Sequence, residues 1–192
     1  MTDVRFKIEI KRALQVVAIL VCFFAVSFLT VSLYDAIEKK RNPRPYFEYV
    51  NECSLEYGVP SELVYAVMLA ESGFDRLAVS RSGACGLMQL MPSTFEWACE
   101  SLGITCSPND IFEPAANIRC GVWYLAYLCE KFGTWETAVA AYNAGEGRVV
   151  AWLADPALSV DGVSLSRIPY AETERYCKQV KNLRARYLRL YK

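Results

Sequence analysis

PSELVYAVMLAESGF, residues 60–74, reads as one amphipathic helix with its start and its stop both written in. Pro60 stands at the start, where a missing N–H costs little and the fixed φ suits a helix. Val64, Val67 and Met68 follow at the three- and four-residue spacing of a buried stripe, and Glu71 continues it. Ser72-Gly73 then breaks the pattern. A carboxyl at the last position of such a stripe enters a partly apolar environment or the floor of a cleft. It also meets the partial negative charge of a helix C-terminus. Both effects favour the protonated form near neutral pH, which is the state a general acid needs. On pattern alone, an exposed helix-end glutamate is the plain alternative.

The same period recurs on both sides of this stretch. Helices are expected over Tyr46–Tyr57, Ser61–Ser72, Ser93–Leu102, Pro114–Phe132, Trp135–Ala141, Gly145–Leu153 and Ala171–Tyr191. Turn signals at Gly58-Val-Pro60, Ser72-Gly73, Gly83, Gly133 and Asn143-Ala-Gly145 separate them. No segment alternates in the two-residue period of a strand, so the expected fold is all-α. Neither an internal repeat nor a low-complexity segment is present.

With 192 residues and 54% apolar content, the chain is long enough for one domain and an appendage. Its net charge is zero and its charges are interspersed, which gives no reason to expect a nucleic acid partner. One exception is the stretch from Glu172 to Lys192, with seven basic residues against two acidic. It reads as a solvated helix face or as a contact for an anionic wall polymer or lipid headgroups. No histidine occurs anywhere, which excludes Ser-His-Asp triads, Cys-His peptidases and His-ligated zinc hydrolases.

From Ala13 to Leu33 the chain runs 21 residues without a charge, a membrane-spanning length. Ala25-Val26-Ser27 has the small residues of a signal-peptidase site, but the apolar run continues well past it, which favours an uncleaved anchor. Basic residues flank the run on both sides, so charge does not set its orientation. Residues 34–45 are polar, end in Asn42-Pro43-Arg44-Pro45, and read as a short stiff linker. Of eight cysteines, Cys22 lies in the apolar run and seven follow it, so they cannot all pair internally. Scattered buried thiols and an oxidising compartment with some disulfides are both consistent with that number. Cys120 and Cys129 fall on opposite faces of one helix and cannot bond each other, whereas Cys99 with Cys106 is geometrically easy. Without a CxxC pair or a histidine, a zinc site is not expected.

Two further segments carry groups suited to a ligand. Gly83-Ala84-Cys85-Gly86-Leu87-Met88-Gln89-Leu90-Met91-Pro92 combines glycines, which permit close backbone approach, with the donor and acceptor amide of Gln89. Ala141-Tyr142-Asn143-Ala144-Gly145 sets an aromatic ring and an amide at a helix end, which suits sugar rings with apolar faces and hydroxyl edges. A tight turn and an ordinary glycine C-cap are the structural alternatives.

Taken in order, ESGF (71–74), SGACGLMQLMPST (82–94), FEPAANIRCGVWYL (112–125), AAYNAG (140–145) and IPYAETERY (168–176) resemble the soluble lytic transglycosylase family of the lysozyme-like superfamily. The resemblance covers residues 46–192. It implies a goose-type, lysozyme-like helical domain in which Glu71 is the catalytic acid and base. That residue protonates the oxygen between N-acetylmuramic acid and N-acetylglucosamine, and the muramic acid's own C6 hydroxyl closes a 1,6-anhydro ring. Ser80, Gln89 and Met91 match positions lining the cleft, Tyr142 and Asn143 match the AYNAG pair, and Glu172 matches an acidic residue of the far wall. Ser72 is assigned to the binding set chiefly as an organiser of the helix end. Cys85 and Phe95 depart from the common pattern, and neither adjoins the expected acid in sequence. Neither metal nor organic cofactor is implied.

The implied substrate is the glycan strand of peptidoglycan, which lies outside the cytoplasmic membrane. Residues 1–12 are therefore expected in the cytoplasm, 13–33 in the membrane as a single-pass anchor, 34–45 as linker and 46–192 as the extracytoplasmic catalytic domain. Two other readings compete. A hydrolytic muramidase requires a second carboxylate, for which Asp75 is the candidate. A non-catalytic peptidoglycan-binding scaffold requires none of the acid chemistry, and the presence of Glu71 with Gln89, Tyr142 and Asn143 speaks against it.

Overall fold

A computed structural model describes residues 2–191. Met1 and Lys192, the outer ends of the expected cytoplasmic segment and catalytic domain, lie outside the described residues. The chain divides into two compact units, Met1–Pro43 and Arg44–Lys192.

The first unit is one helix, α1 (Thr2–Arg41). It includes Leu14–Arg41, among the described residues the one helical stretch long and apolar enough to cross a membrane. Its large apolar side chains, Phe23, Phe24, Phe28 and Leu29 among them, are exposed. The expected linker is shorter than its sequence suggested, because residues 34–41 continue the helix. They contain neither Gly nor Pro and include the good helix formers Ala36, Glu38, Lys39 and Lys40. Pro43 supplies the stop, since the residue before a proline is pushed out of the helical region.

The second unit holds α2 (Phe47–Tyr57), α3 (Ser61–Glu71), α4 (Pro92–Leu102), α5 (Pro114–Phe132), α6 (Trp135–Ala144), α7 (Glu146–Leu153) and α8 (Ala171–Leu190). A short 3₁₀ turn at Pro108–Phe112 precedes α5 and was not legible as an element. Among the described residues there is no strand, only isolated bridges pairing Val79 with Cys85 and Cys85 with Leu90. α3 buries Leu63 through Met68 completely, and each large side chain so covered contributes about 1.5–3 kcal/mol. It lies antiparallel against α8: Glu62 at its start pairs with Arg184, and Glu71 at its end faces Tyr176. α5 is flanked by α2, α4 and α6, and α6 also packs on α8.

Two ends differ from expectation in ways that matter for the site. α3 stops at Glu71, with Ser72 as its C-cap, so the carboxyl sits on the last helical residue. α6 runs on to Ala144, carrying Tyr142 and Asn143 inside its last turn. Ala140, Ala141 and Ala144 favour that continuation, and Gly145, at φ 91°, ends it. Cys99 and Cys106 form a disulfide, because α4 ends at Gly103 and the chain folds back with Ile104 N–H on Cys99 O at 3.0 Å. Cys53, Cys85 and Cys120 are buried free thiols, so the set contains a disulfide and buried thiols together.

Candidate active site

Glu71 is partly buried, and desolvation pushes its carboxyl up to about 7. The phenol of Tyr176, from the second turn of α8, faces it and acts in the opposite sense by less. Tyr176 Oη is buried and has no partner at full hydrogen-bond distance, so this phenol is close to the carboxyl without being bonded to it. Burial first, and the nearby carboxyl second, push the Tyr176 hydroxyl well above the usual phenol range. Tyr142, from the last turn of α6, is raised by the same two causes in the same order. Among the described residues no carboxylate acts on Glu71, whose environment is a desolvated, neutral one.

The loop between α3 and α4 is held against this point from three helices. From α3, Ser72 Oγ donates to Leu87 O at 2.7 Å, the shorter of two carbonyl contacts, the other being Met68 O at 3.2 Å. The same hydroxyl accepts from Phe74 N–H at 3.1 Å. From α5, the buried Asn117 accepts from Met88 N–H at 2.8 Å and donates to Ile111 O at 2.7 Å and Cys85 O at 3.2 Å. From α6, Tyr142 Oη donates to Met88 O at 2.7 Å. Gly86 makes that approach possible: it has φ 78°, and a Cβ there would strike the Asn117 amide and lie 2.6 Å from Ile111 O.

Gln89 stands at φ 49°, a left-handed conformation that costs a non-glycine residue about 1–2 kcal/mol. Its backbone N–H on Gly86 O at 3.2 Å and its side-chain amide on Ala78 O at 3.1 Å and Gly86 O at 3.0 Å hold it there. Both amide protons are thereby engaged inside the protein, and the side-chain oxygen is its remaining polar atom. Ser80 closes the neighbouring turn, accepting from Ala84 N–H at 2.9 Å through its hydroxyl.

Of the residues singled out from sequence, the structure brings Glu71, Ser72, Gln89 and Tyr142 together through this loop. Ser80 joins them through the same loop. Met91 is exposed at the start of α4, Asn143 is half-buried beside Tyr142, and Glu172 is exposed in the first turn of α8, one turn ahead of Tyr176. Among the described residues no hydrogen bond or ion pair joins these three to Glu71. Two residues of the site were not singled out beforehand, Asn117 and Tyr176. Tyr176 closes the IPYAETERY segment at a helical spacing from Glu172, and Asn117 is a lone polar residue on the apolar face of α5; those were the available signals. Among the described residues no cluster of Cys, Asp and Glu is arranged to hold a metal. A cavity of about 650 Å³ lies elsewhere and is not lined by Glu71.

Comparison with known proteins places these features in a family. The family model described as the transglycosylase SLT domain matches residues 48–158. The soluble lytic murein transglycosylase of Escherichia coli K12 is 35% identical over 152 residues, covering 77% of this chain and 23% of the relative. The membrane-bound lytic murein transglycosylase C of Edwardsiella ictaluri is 33% identical over 168 residues, covering 76% of this chain and 47% of the relative. Among solved structures, a lytic transglycosylase Slt from Pseudomonas aeruginosa superposes with a TM-score of 0.69 at 31% identity, over 79% of this chain and 25% of that one. The 70 kDa soluble lytic transglycosylase of Escherichia coli does so with the same score and identity, over 78% and 25%. The chain thus spans about a quarter of the length of several of these relatives, and the part it shares is the helical unit that carries Glu71. With its all-α, lysozyme-like architecture and the matching segment, the chain belongs to the SLT-domain family of lytic transglycosylases.

Proposed function

We propose that the Arg44–Lys192 unit cleaves the β-1,4 bond between N-acetylmuramic acid and N-acetylglucosamine in peptidoglycan without water, leaving 1,6-anhydromuramic acid. The observation that carries this reading is a single carboxyl, Glu71, poised near pKa 7 beside two tyrosines with no second carboxylate acting on it. A protonated Glu71 gives its proton to the bridging oxygen as the bond from C1 of the muramic ring breaks, and the electron pair leaves with the glucosamine O4. The substrate's acetamido group stabilises the cationic carbon. The carboxylate now formed takes the proton of the C6 hydroxyl, whose oxygen bonds to C1 and restores the acid. Because that hydroxyl is tethered to the reacting ring, it acts at a high effective concentration.

A retaining hydrolase instead needs a second carboxyl about 5–5.5 Å from the first. Asp75 is exposed, and its Oδ1 accepts from Leu77 N–H at 2.9 Å in the turn after α3, which fits a capping role. In the proposed complex the Gln89 carbonyl oxygen, Met91, Ser80, Asn143 and Glu172 contact the sugars, and Tyr142 and Ser72 fix the loop that presents them. Residues 1–12 are proposed to lie in the cytoplasm, 13–33 in the membrane, and the second unit outside. The exposed apolar surface of α1 and the membrane-bound name of one relative support that topology. Protease treatment of intact spheroplasts tests it, with digestion of the second unit expected and full protection counting against it. For the chemistry, mass spectrometry of fragments released from purified peptidoglycan is the test. Anhydro ends from the wild type and none from Glu71→Gln are expected; reducing muramic ends would move the protein to the hydrolases, and activity surviving in the variant would remove Glu71 from its role.

A further inference from the structure

A groove lined by none of the residues described around Glu71 runs along α8 from Glu174 to Arg184 and meets α3 at Leu63. It encloses about 650 Å³, within the ~300–1,000 Å³ usual for ligand sites. It runs between the start of α6, the middle of α8 and residues 164–168. Cys177 on its wall follows Tyr176 directly, whereas Leu63 lies eight residues before Glu71, about 12 Å of helix away. Leu63, Val139, Cys177 and Val180 supply its apolar floor.

Its rim carries Arg167, Lys178, Lys181 and Arg184 against Glu136 and Glu174. Two of these cations have protein partners: Lys178 Nζ lies 2.6 Å from Glu174, and Arg184 Nη2 lies 3.4 Å from Glu62. Among the described residues Arg167 and Lys181 form no ion pair, and Arg167 acts on Glu174 only at longer range. Arg184 Nε is buried within the fold, with no acceptor among the described residues, so this cation meets the groove through the rest of its side chain. The first turn of α6 adds the partial positive charge of a helix N-terminus, partly answered by Glu136. Arg167 sits near Glu174, while Arg184 is ten residues further along α8, so the cations are strung over about 15 Å rather than gathered at one point.

We infer that this groove docks an extended acidic peptide segment of a partner protein, its carboxylates spaced along the row from Arg167 and Lys181 to Arg184 and its apolar side chains on the floor. The spread of the cations decides for a chain of spaced carboxylates over a single headgroup, and ~15 Å corresponds to about four or five extended residues. This reading does not depend on the reaction at Glu71.

The test is fluorescence anisotropy with the full chain in neutral detergent micelles. The probes are fluorescein-labelled hexapeptides that set two glutamates among apolar residues at each possible spacing, beside matched glutamine peptides. Binding of at least one acidic peptide is expected, about tenfold tighter than its glutamine counterpart. Lys181→Glu and Arg167→Glu, both at exposed positions, should each weaken it by about tenfold while release of peptidoglycan fragments stays unchanged. Failure of every acidic peptide to bind, equal binding of the glutamine set, or indifference to both charge reversals would overturn the proposal. Loss of the peptide when phosphatidylglycerol is mixed into the micelles would overturn it too, and would give the groove to a lipid headgroup.

Discussion

The two ends of α3 follow opposite plans. At Glu71 the surrounding polar groups are neutral, and those of the adjoining loop are bonded within the fold: Ser72 to Leu87, Asn117 to three backbone groups, Tyr142 to Met88. Beside Glu62 and Leu63 the polar groups are charged, partly exposed and incompletely paired. A fixed, water-poor setting changes what a carboxyl does, because its charged form loses hydration and gains no cation in return. A rim of spaced charges gives selectivity for a partner of complementary charge. In the proposed roles, the difference separates a place for proton transfer from one for attachment.

The largest effect that can break this contrast is at the first end. Glu71→Gln keeps the shape and removes the proton, and peptidoglycan cleavage should fall by roughly 10²–10⁴-fold, as measured by release of soluble fragments. A modest loss would mean that the buried carboxyl is structural and that the two ends differ only in packing. Next in size is the scaffold. Asn117→Ala leaves Met88 N–H, Ile111 O and Cys85 O without their partner, and a loss of about 3 kcal/mol of stability is expected from urea denaturation. If the variant retains wild-type stability, the loop is not held in the way the hydrogen bonds indicate.

Much of the first end was legible beforehand because local rules and tertiary structure agree there. The stripe Val64, Val67, Met68 and Glu71 places the acid, Pro60 and Ser72-Gly73 set the helix ends to within a residue, and the AYNAG and GLMQLMP segments carry their own turn chemistry. What was not legible depends on contacts between distant segments. Nothing local to Tyr176 says that its ring reaches Glu71 across more than a hundred residues, and nothing local to Asn117 says which three backbone groups it binds. The linker was misjudged for a different reason: its charges read as loop, while an established helix propagates cheaply through residues that do not oppose it. The groove at the second end has no sequence signature, because the α6 start, segment 164–168 and α8 meet only on folding. The basic composition of the last helix was the one hint of it.

A third prediction follows from the raised pKa of Glu71. A carboxyl at about 7 in the folded chain and 4.5 when free contributes stability fully below pH 4.5, and that contribution is lost as pH rises through 7. The loss is on the order of 3 kcal/mol across this window. Glu71→Gln does not titrate, so denaturation at pH 5 and pH 8 should show the variant gaining on the wild type at the higher pH. A constant gap between them would place the carboxyl in an ordinary solvated setting.

The smallest expected effect is the sharpest on mechanism. Tyr176 Oη draws the Glu71 pKa down against the larger pull of burial, so Tyr176→Phe removes the downward influence and leaves desolvation in place. The folded pKa of Glu71 then rises, and the alkaline limb of kcat/KM for glycan cleavage moves to higher pH. The rate at the optimum changes only a few-fold, since the acid itself remains. A structural tyrosine would lower kcat/KM evenly at all pH values, and a limb that stays in place or moves to lower pH would show that the phenol does not act on the acid. The same profile measured for Lys181→Glu should superpose on the wild type, because Lys181 is exposed to water and does not act on Glu71.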